Sequence, residues 1–152
     1  MKVLIAVEES ECSRLALESV MERSWPEDSQ FRVINVFEPF QMYGSDIYSP
    51  RAVDSIQEAE KELLNSKKEL VKQDLQLLRK LFSEKAVSGD VLTGDIRNSI
   101  IEEAKEWGAD LIVMGSHGRK GFSKLFLGSV AEGVAGHADC SVEIIKKKKE
   151  AH

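Results

Sequence analysis

Cysteine is scarce in this sequence: there are two, Cys12 and Cys140, far apart in the chain. They form neither a CxxC pair nor a metal-ligand spacing, so a disulfide scaffold or a zinc module is excluded. Their expected role is that of small buried hydrophobes. Long apolar runs are missing too, and no segment approaches the ~20 residues that a membrane helix requires. The opening, MKVLIAVEES, lacks an extended apolar stretch and a cleavage site, so no secretory leader is expected. A reducing, cytoplasmic setting is the expectation that follows. Nor is there an excess of positive charge. The net charge is −5, which speaks against a general nucleic-acid binder, whose affinity comes largely from neutralising phosphates. No internal repeat and no low-complexity segment interrupts the 152 residues, which read as a single domain, 1–152. At this length a domain buries roughly 68–70% of its unfolded surface and needs no covalent staple.

What is present is alternation. Residues 2–7 (KVLIAV) are almost wholly apolar and predict a strand buried on both faces. Ser10 predicts an N-cap, followed by Cys12, Leu15, Ala16 and Val20 at helical spacing. Residues 31–37 (FRVINVF) predict a second strand, and residues 38–49, with Pro39 and Gly44, a loop. Ser49-Pro50 predicts a helix start with the hydroxyl as cap, and an amphipathic helix over 53–82. Its stripe is Ile56, Leu63, Leu64, Leu70, Val71, Leu75, Leu78 and Leu81, drifting as a 3.6 period does, so it predicts packing on a sheet.

Residues 86–92 predict a weaker third strand, bent or at an edge because of Gly89. Asp95 caps a third helix and Gly108 ends it. Residues 110–114 (DLIVM) form a fourth strand, residues 129–137 a fourth helix, and residues 140–145 (CSVEII) a last strand. Gly133 and Gly136 each weaken the fourth helix by roughly 1 kcal/mol relative to alanine. The basic run at 146–149 predicts a solvated tail. This βα alternation predicts an α/β fold: one open parallel five-stranded sheet with helices on both faces.

In such sheets ligands sit outside the carboxyl ends of strands, where the winding reverses. Two strand ends carry chemistry: Val7-Glu8-Glu9-Ser10 and the stretch after Met114. The first turn has no glycine, which speaks against the GxGxxG dinucleotide fingerprint, and GxxxxGK[ST] is missing. Instead, Gly115, Gly118 and Gly128-Ser129 read G-x2-G-x9-G-S. Glycine permits close approach of a ligand to backbone, and the helix that opens at Ser129 offers unpaired N–H groups to an anion. The expectation is a phosphate cradle. Each position has a plain structural alternative: a strand end for Gly115, a helix cap for Gly128 and Ser129, a loop residue for His117, a helix-end residue for His137. No Ser/His/Asp set meets in this fold, and no base suited to activate water stands out, so no catalytic residue and no dedicated metal ligand is assigned.

With these motifs the chain resembles the universal stress protein family, in its nucleotide-binding branch, whose pattern is G-x2-G-x9-G-[ST]. KVLIAVEESECSRLAL, VINVFEP, GDIRNSIIEEAKEWGADLIVMGSHGR and LGSVAEGVAGHADCSVEII extend the resemblance over essentially the whole chain. It implies the Rossmann-like sheet order 3-2-1-4-5 and an adenine nucleotide (ATP, AMP or ADP, with or without Mg²⁺) at the crest of strands 1 and 4. The residues it implies there are Ala6, Val7, Glu8, Val36, Met114, Gly115, Gly118, Arg119, Gly128, Ser129 and Val130. Of these, Val36 offers backbone groups to adenine, Gly115 lines the ribose, and Gly118, Gly128, Ser129 and the Val130 amide hold phosphates. Glu8 replaces the family's usual aspartate, Asn35 a frequent histidine and Ser141 a frequent proline. The resemblance further implies a stress-response switch that acts through an unidentified protein partner, and a homodimer paired through residues 141–145. A nucleotide-free interaction protein and a slow ATPase are the alternative readings.

Overall fold

The computed structural model describes residues 1–41, 49–118 and 127–147. Five strands run through it: β1 (Lys2–Ala6), β2 (Gln30–Phe37), β3 (Val87–Thr93), β4 (Leu111–Gly115) and β5 (Ser141–Ile145). Between them lie α1 (Glu11–Met21), α2 (Pro50–Arg79), α3 (Ile96–Trp107) and α4 (Ser129–His137). The sheet order is β3-β2-β1-β4-β5, and all four pairings are parallel. The winding therefore reverses at β1 and β4, as the family resemblance implies.

Strand alternation divides the core in two. Val3 and Ile5 of β1, with Val7 just beyond it, join Phe31, Val33 and Val113 on the face covered by α1 and α2. Leu4, Ala6, Ile34, Val36 and Met114 join Ile100, Ala104 and Val134 on the face covered by α3 and α4. The helix ends follow local chemistry. The Ser10 hydroxyl accepts from the Ser13 amide, Asp95 accepts from Asn98, and Gly108 closes α3 in the left-handed region at φ 73°.

Two expectations for α2 are corrected. Ser49 is the N-cap and Pro50 opens the helix, but the Ser49 hydroxyl makes no capping bond. The helix also stops at Arg79, and Leu81, expected in the buried stripe, is 55% exposed. Past Arg79 the chain tightens, the Lys80 and Leu81 amides bonding to the Leu77 and Leu78 carbonyls, and the Phe82 ring beyond them stacks on Phe31 at 4.2 Å. The cysteine expectation is also corrected, since both are free and only half-buried.

Edge position and Gly89 account for the weak third strand. A Cβ at Gly89 would lie 2.5 Å from the Val33 carbonyl oxygen, so β3 and β2 approach more closely than a side chain allows. On the other edge, Arg23 forks onto Glu143 of β5, and hydrogen bonding from the guanidinium holds the Glu143 carboxyl below its ordinary range.

The two glycines of α4 have different causes. A Cβ at Gly133 would meet the Arg97 side chain at 2.3 Å, whereas nothing lies within 4 Å of one at Gly136. Gly136→Ala is therefore expected to stabilise the protein by about 0.5–1 kcal/mol in urea unfolding. A loss of stability would show that Gly136 serves a contact the helix does not display.

Candidate functional site

The carboxyl ends of β1 and β4 are joined by a compact set of hydrogen bonds. Ser13 Oγ accepts from the Glu8 amide at 2.8 Å, and the Ser10 amide donates to the Glu8 carbonyl at 2.9 Å. The Ser10 hydroxyl also donates across to the His117 carbonyl at 3.3 Å, which ties the β1 turn to the loop after β4. The Ser116 amide donates to Ile145 of β5, and the Ser116 carbonyl accepts from the Gly128 amide at 2.8 Å. Residues 116–118 and the start of α4 are thus held against each other at the crest.

The structure sorts the motif glycines by cause. A Cβ at Gly115 would lie 2.7 Å from both the Cys12 carbonyl carbon and the Ser13 nitrogen, so this glycine lets the first turn of α1 sit on β4. A Cβ at Gly118 would meet only the Glu8 carboxylate, at 3.2 Å. Gly118 is exposed, with a half-buried acid beside it. A Cβ at Gly128 would lie 3.1 Å from the Ser116 carbonyl oxygen.

Gly128 is the N-cap of α4 and its own N–H is already used on Ser116. It is therefore not among the open donors. Those are the amides of Ser129, Val130 and Ala131, the first three of the helix; the first intrahelical bond is from Glu132 to Gly128. None of the three bonds to a described residue outside the helix. Ser129, the first residue of the helix after its N-cap Gly128, is exposed.

Val36 presents a second open edge. Ile34 accepts from the Val7 amide, the last bond between β2 and β1. Two residues on, the N–H and C=O of Val36 face the same way, past the end of β1, with no bond to a described residue. The Val36 side chain is buried among Ala6 and Met114 on the α3/α4 face. Ala6, Val7, Glu8, Val36, Met114, Gly115, Gly118, Gly128, Ser129 and Val130 therefore all lie at the crest of β2, β1 and β4 or at the start of α4. Arg119 lies outside the described residues.

Two residues gain partners that sequence reasoning did not assign. Asn35 Oδ1 accepts from Lys67 Nζ of α2 at 3.0 Å, which pins the long helix to β2. Lys147, from the basic tail, pairs with Glu11 at 3.1 Å over the start of α1. Both pairings join residues remote in sequence, and no local signal announces them. His137 matches its plain reading, with Nδ1 bonded to the Gly133 carbonyl at 2.8 Å. No helix among the described residues is long and apolar enough to cross a membrane, and no group of three or more His, Cys, Asp or Glu among them could hold a metal ion.

The sheet order defines an open parallel α/β protein whose winding reverses at β1 and β4. The sequence model of the universal stress protein family matches residues 1–146, and the chain belongs to that family. A universal stress protein of Synechocystis sp. is 31% identical over 150 residues, covering 95% of this chain and 97% of that protein. The solved universal stress protein UspA from Lactobacillus plantarum superposes with a TM-score of 0.80 at 20% identity, over 95% of this chain and 97% of its own. The Archaeoglobus fulgidus universal stress protein, solved in complex with dAMP, gives 0.59 at 21% identity, over 96% and 98%. At these identities the two structures speak for the fold.

Proposed function

We propose that this universal stress protein binds an adenine nucleotide, ATP above all, at the crest of β1 and β4 and works as a nucleotide-dependent switch. The observation that carries the reading is the open start of α4. Three amides and an uncommitted Ser129 hydroxyl point out of a helix whose cap is fastened to the β4 loop. A helix start with free donors favours phosphate through both hydrogen bonds and dipole. The free edge of Val36 suits the donor and acceptor of an adenine ring. The dAMP held by the Archaeoglobus protein of the same fold supports the same class of ligand.

Glu8 adds a condition. Its carboxylate adjoins Gly118, and a carboxylate beside a polyphosphate is repelled unless a cation intervenes. Triphosphate binding is therefore expected to need Mg²⁺ more than monophosphate binding does. Among the described residues the outer edge of β5 has no paired strand, and a second copy paired there would give the homodimer. Ordering of the crest by ligand would then alter the surface offered to a protein partner, provided the ligand favours one of two states.

The test begins with mass spectrometry of the purified, denatured protein for a released adenine nucleotide. Calorimetric titration with AMP and ATP, with and without Mg²⁺, follows. Gly118→Val is expected to weaken binding at least ten-fold in a folded protein, and Ser129→Ala several-fold, about 1 kcal/mol for one lost hydrogen bond. If no nucleotide is released and millimolar ATP with Mg²⁺ leaves the melting temperature unchanged, the nucleotide-free interaction protein is the better reading.

A further inference from the structure

The end of the sheet opposite the crest carries a cavity of about 470 Å³. It lies where Gln30 opens β2 and Ala86 precedes β3, between the turn after α1 and the segment that follows α2. Its wall is aromatic. Trp25 packs on Phe31 at 5.6 Å with the rings nearly perpendicular, and Phe82 stacks on Phe31 from beyond α2. The indole N–H is taken by the Val20 carbonyl at 2.8 Å, so Trp25 offers the cavity apolar ring. Phe31 is buried, Trp25 and Phe82 are half-buried, and Leu81 is exposed.

Polar groups surround that wall. Asp28, Gln30, Ser83 and Lys85 also line the cavity, all four are exposed, and none of their side chains is bonded to another described residue. Small-molecule sites combine a volume of roughly 300–1,000 Å³, an apolar wall and a few polar groups free to bond. Asp28 is set apart by its backbone. At φ 62° it is the one non-glycine residue with positive φ among those described. It takes the third place of the turn that the Ser29 amide closes on the Pro26 carbonyl at 3.2 Å, a place glycine usually fills. The chain therefore holds a carboxylate at the cavity where local conformation favours the absence of a side chain.

We infer that this cavity is a second ligand site, and that its ligand is a small zwitterion with an apolar ring, an aromatic α-amino acid being the simplest case. The ring packs on Trp25 and Phe82, where an aromatic surface gains both burial and ring–ring attraction. Lys85 and Asp28, one cation and one anion without partners, complement a carboxylate and an ammonium. A ligand of a single charge is attracted by one of them and repelled by the other.

The test titrates the whole protein, without nucleotide, with phenylalanine, 3-phenylpropionate and phenethylamine by calorimetry, and follows the backbone amides by NMR. Phenylalanine is expected to saturate, to shift the resonances of residues 25–31 and 81–86, and to bind several-fold more tightly than either singly charged compound. Lys85→Ala and Asp28→Gly should each weaken it several-fold. Asp28→Gly should do so without lowering the urea midpoint, since glycine accepts that φ without strain. No saturable binding of phenylalanine at millimolar concentration, or shifts confined to other residues, would overturn the assignment. Equal affinity for the three compounds, or unchanged affinity in both variants, would overturn the zwitterion. Shifts of the same residues that depend on protein concentration alone would overturn the site in favour of a second copy of this chain. Every reporter lies at the amino end of the sheet, away from Gly118 and Ser129, so failure here is distinguishable from failure of the proposed function.

Discussion

Gly115→Ala is expected to cost about 2–3 kcal/mol of stability, the range for overpacking a close contact. The methyl group would enter 2.7 Å from two backbone atoms of α1 and 2.9 Å from the Cys12 Cβ. Backbone cannot rotate away as a side chain does, so α1 or β4 must shift. Gly118→Ala is the control. Its Cβ would meet only the tip of the Glu8 side chain, at 3.2 Å, and that carboxylate can swing aside. Two glycines three residues apart in one motif should thus behave oppositely in urea unfolding. If Gly115→Ala loses less than about 0.5 kcal/mol, the intimate contact of α1 with β4 is not what keeps glycine there.

The second large effect depends on pH. Asp74 lies on the buried stripe of α2 with Val71 and Leu78 and is 9% exposed. Burial raises its pKa from 3.8 to about 6. The folded state therefore holds the proton more tightly than the unfolded chain. Below the unfolded value both states are protonated and there is no penalty. As the pH rises from about 4 to about 6 the penalty grows, and above that it is fully present, at roughly 3 kcal/mol for a shift of about two units. Asp74→Asn is expected to be about 2–3 kcal/mol more favourable to stability at pH 8 than at pH 4, since any burial cost of the amide itself is the same at both. The comparison is made by urea unfolding of both proteins at each pH. A gain of equal size at pH 4 and pH 8 would rule out desolvation of the carboxylate as its origin.

Much of the crest was legible before any coordinates. Ser10, Asp95 and Gly108 announce helix ends because capping is local chemistry within three or four residues. The apolar runs announce buried strands, and their alternation with helices leaves few topologies open. Motif spacing placed Gly118, Gly128 and Ser129 at one end of the sheet. Other features were hidden for a common reason. Phe82 stacks on Phe31 from beyond the end of α2, and Lys67 reaches Asn35 across 32 positions in sequence. Neither contact leaves a mark on its own neighbourhood. The hydroxyl of Ser49 looked like a cap, yet the helix opens without its bond.

The amino-acid sequence alone determined the succession of strands and helices, the parallel sheet and the family to which the chain belongs, because these rest on periodicity, local capping and a spaced motif. Tertiary structure decided which groups at the crest are free. It committed the Gly128 amide to Ser116, left the amides of Ser129 to Ala131 and the edge of Val36 without a partner among the described residues, and turned Gly115 toward α1. It also brought Cys12 against the adjacent Ser116 and His117, which stand 104 positions or more further on and meet it because β1 and β4 are neighbours. Whether a donor is available depends on what the rest of the chain has already bonded to it, and that is a property of the packed molecule.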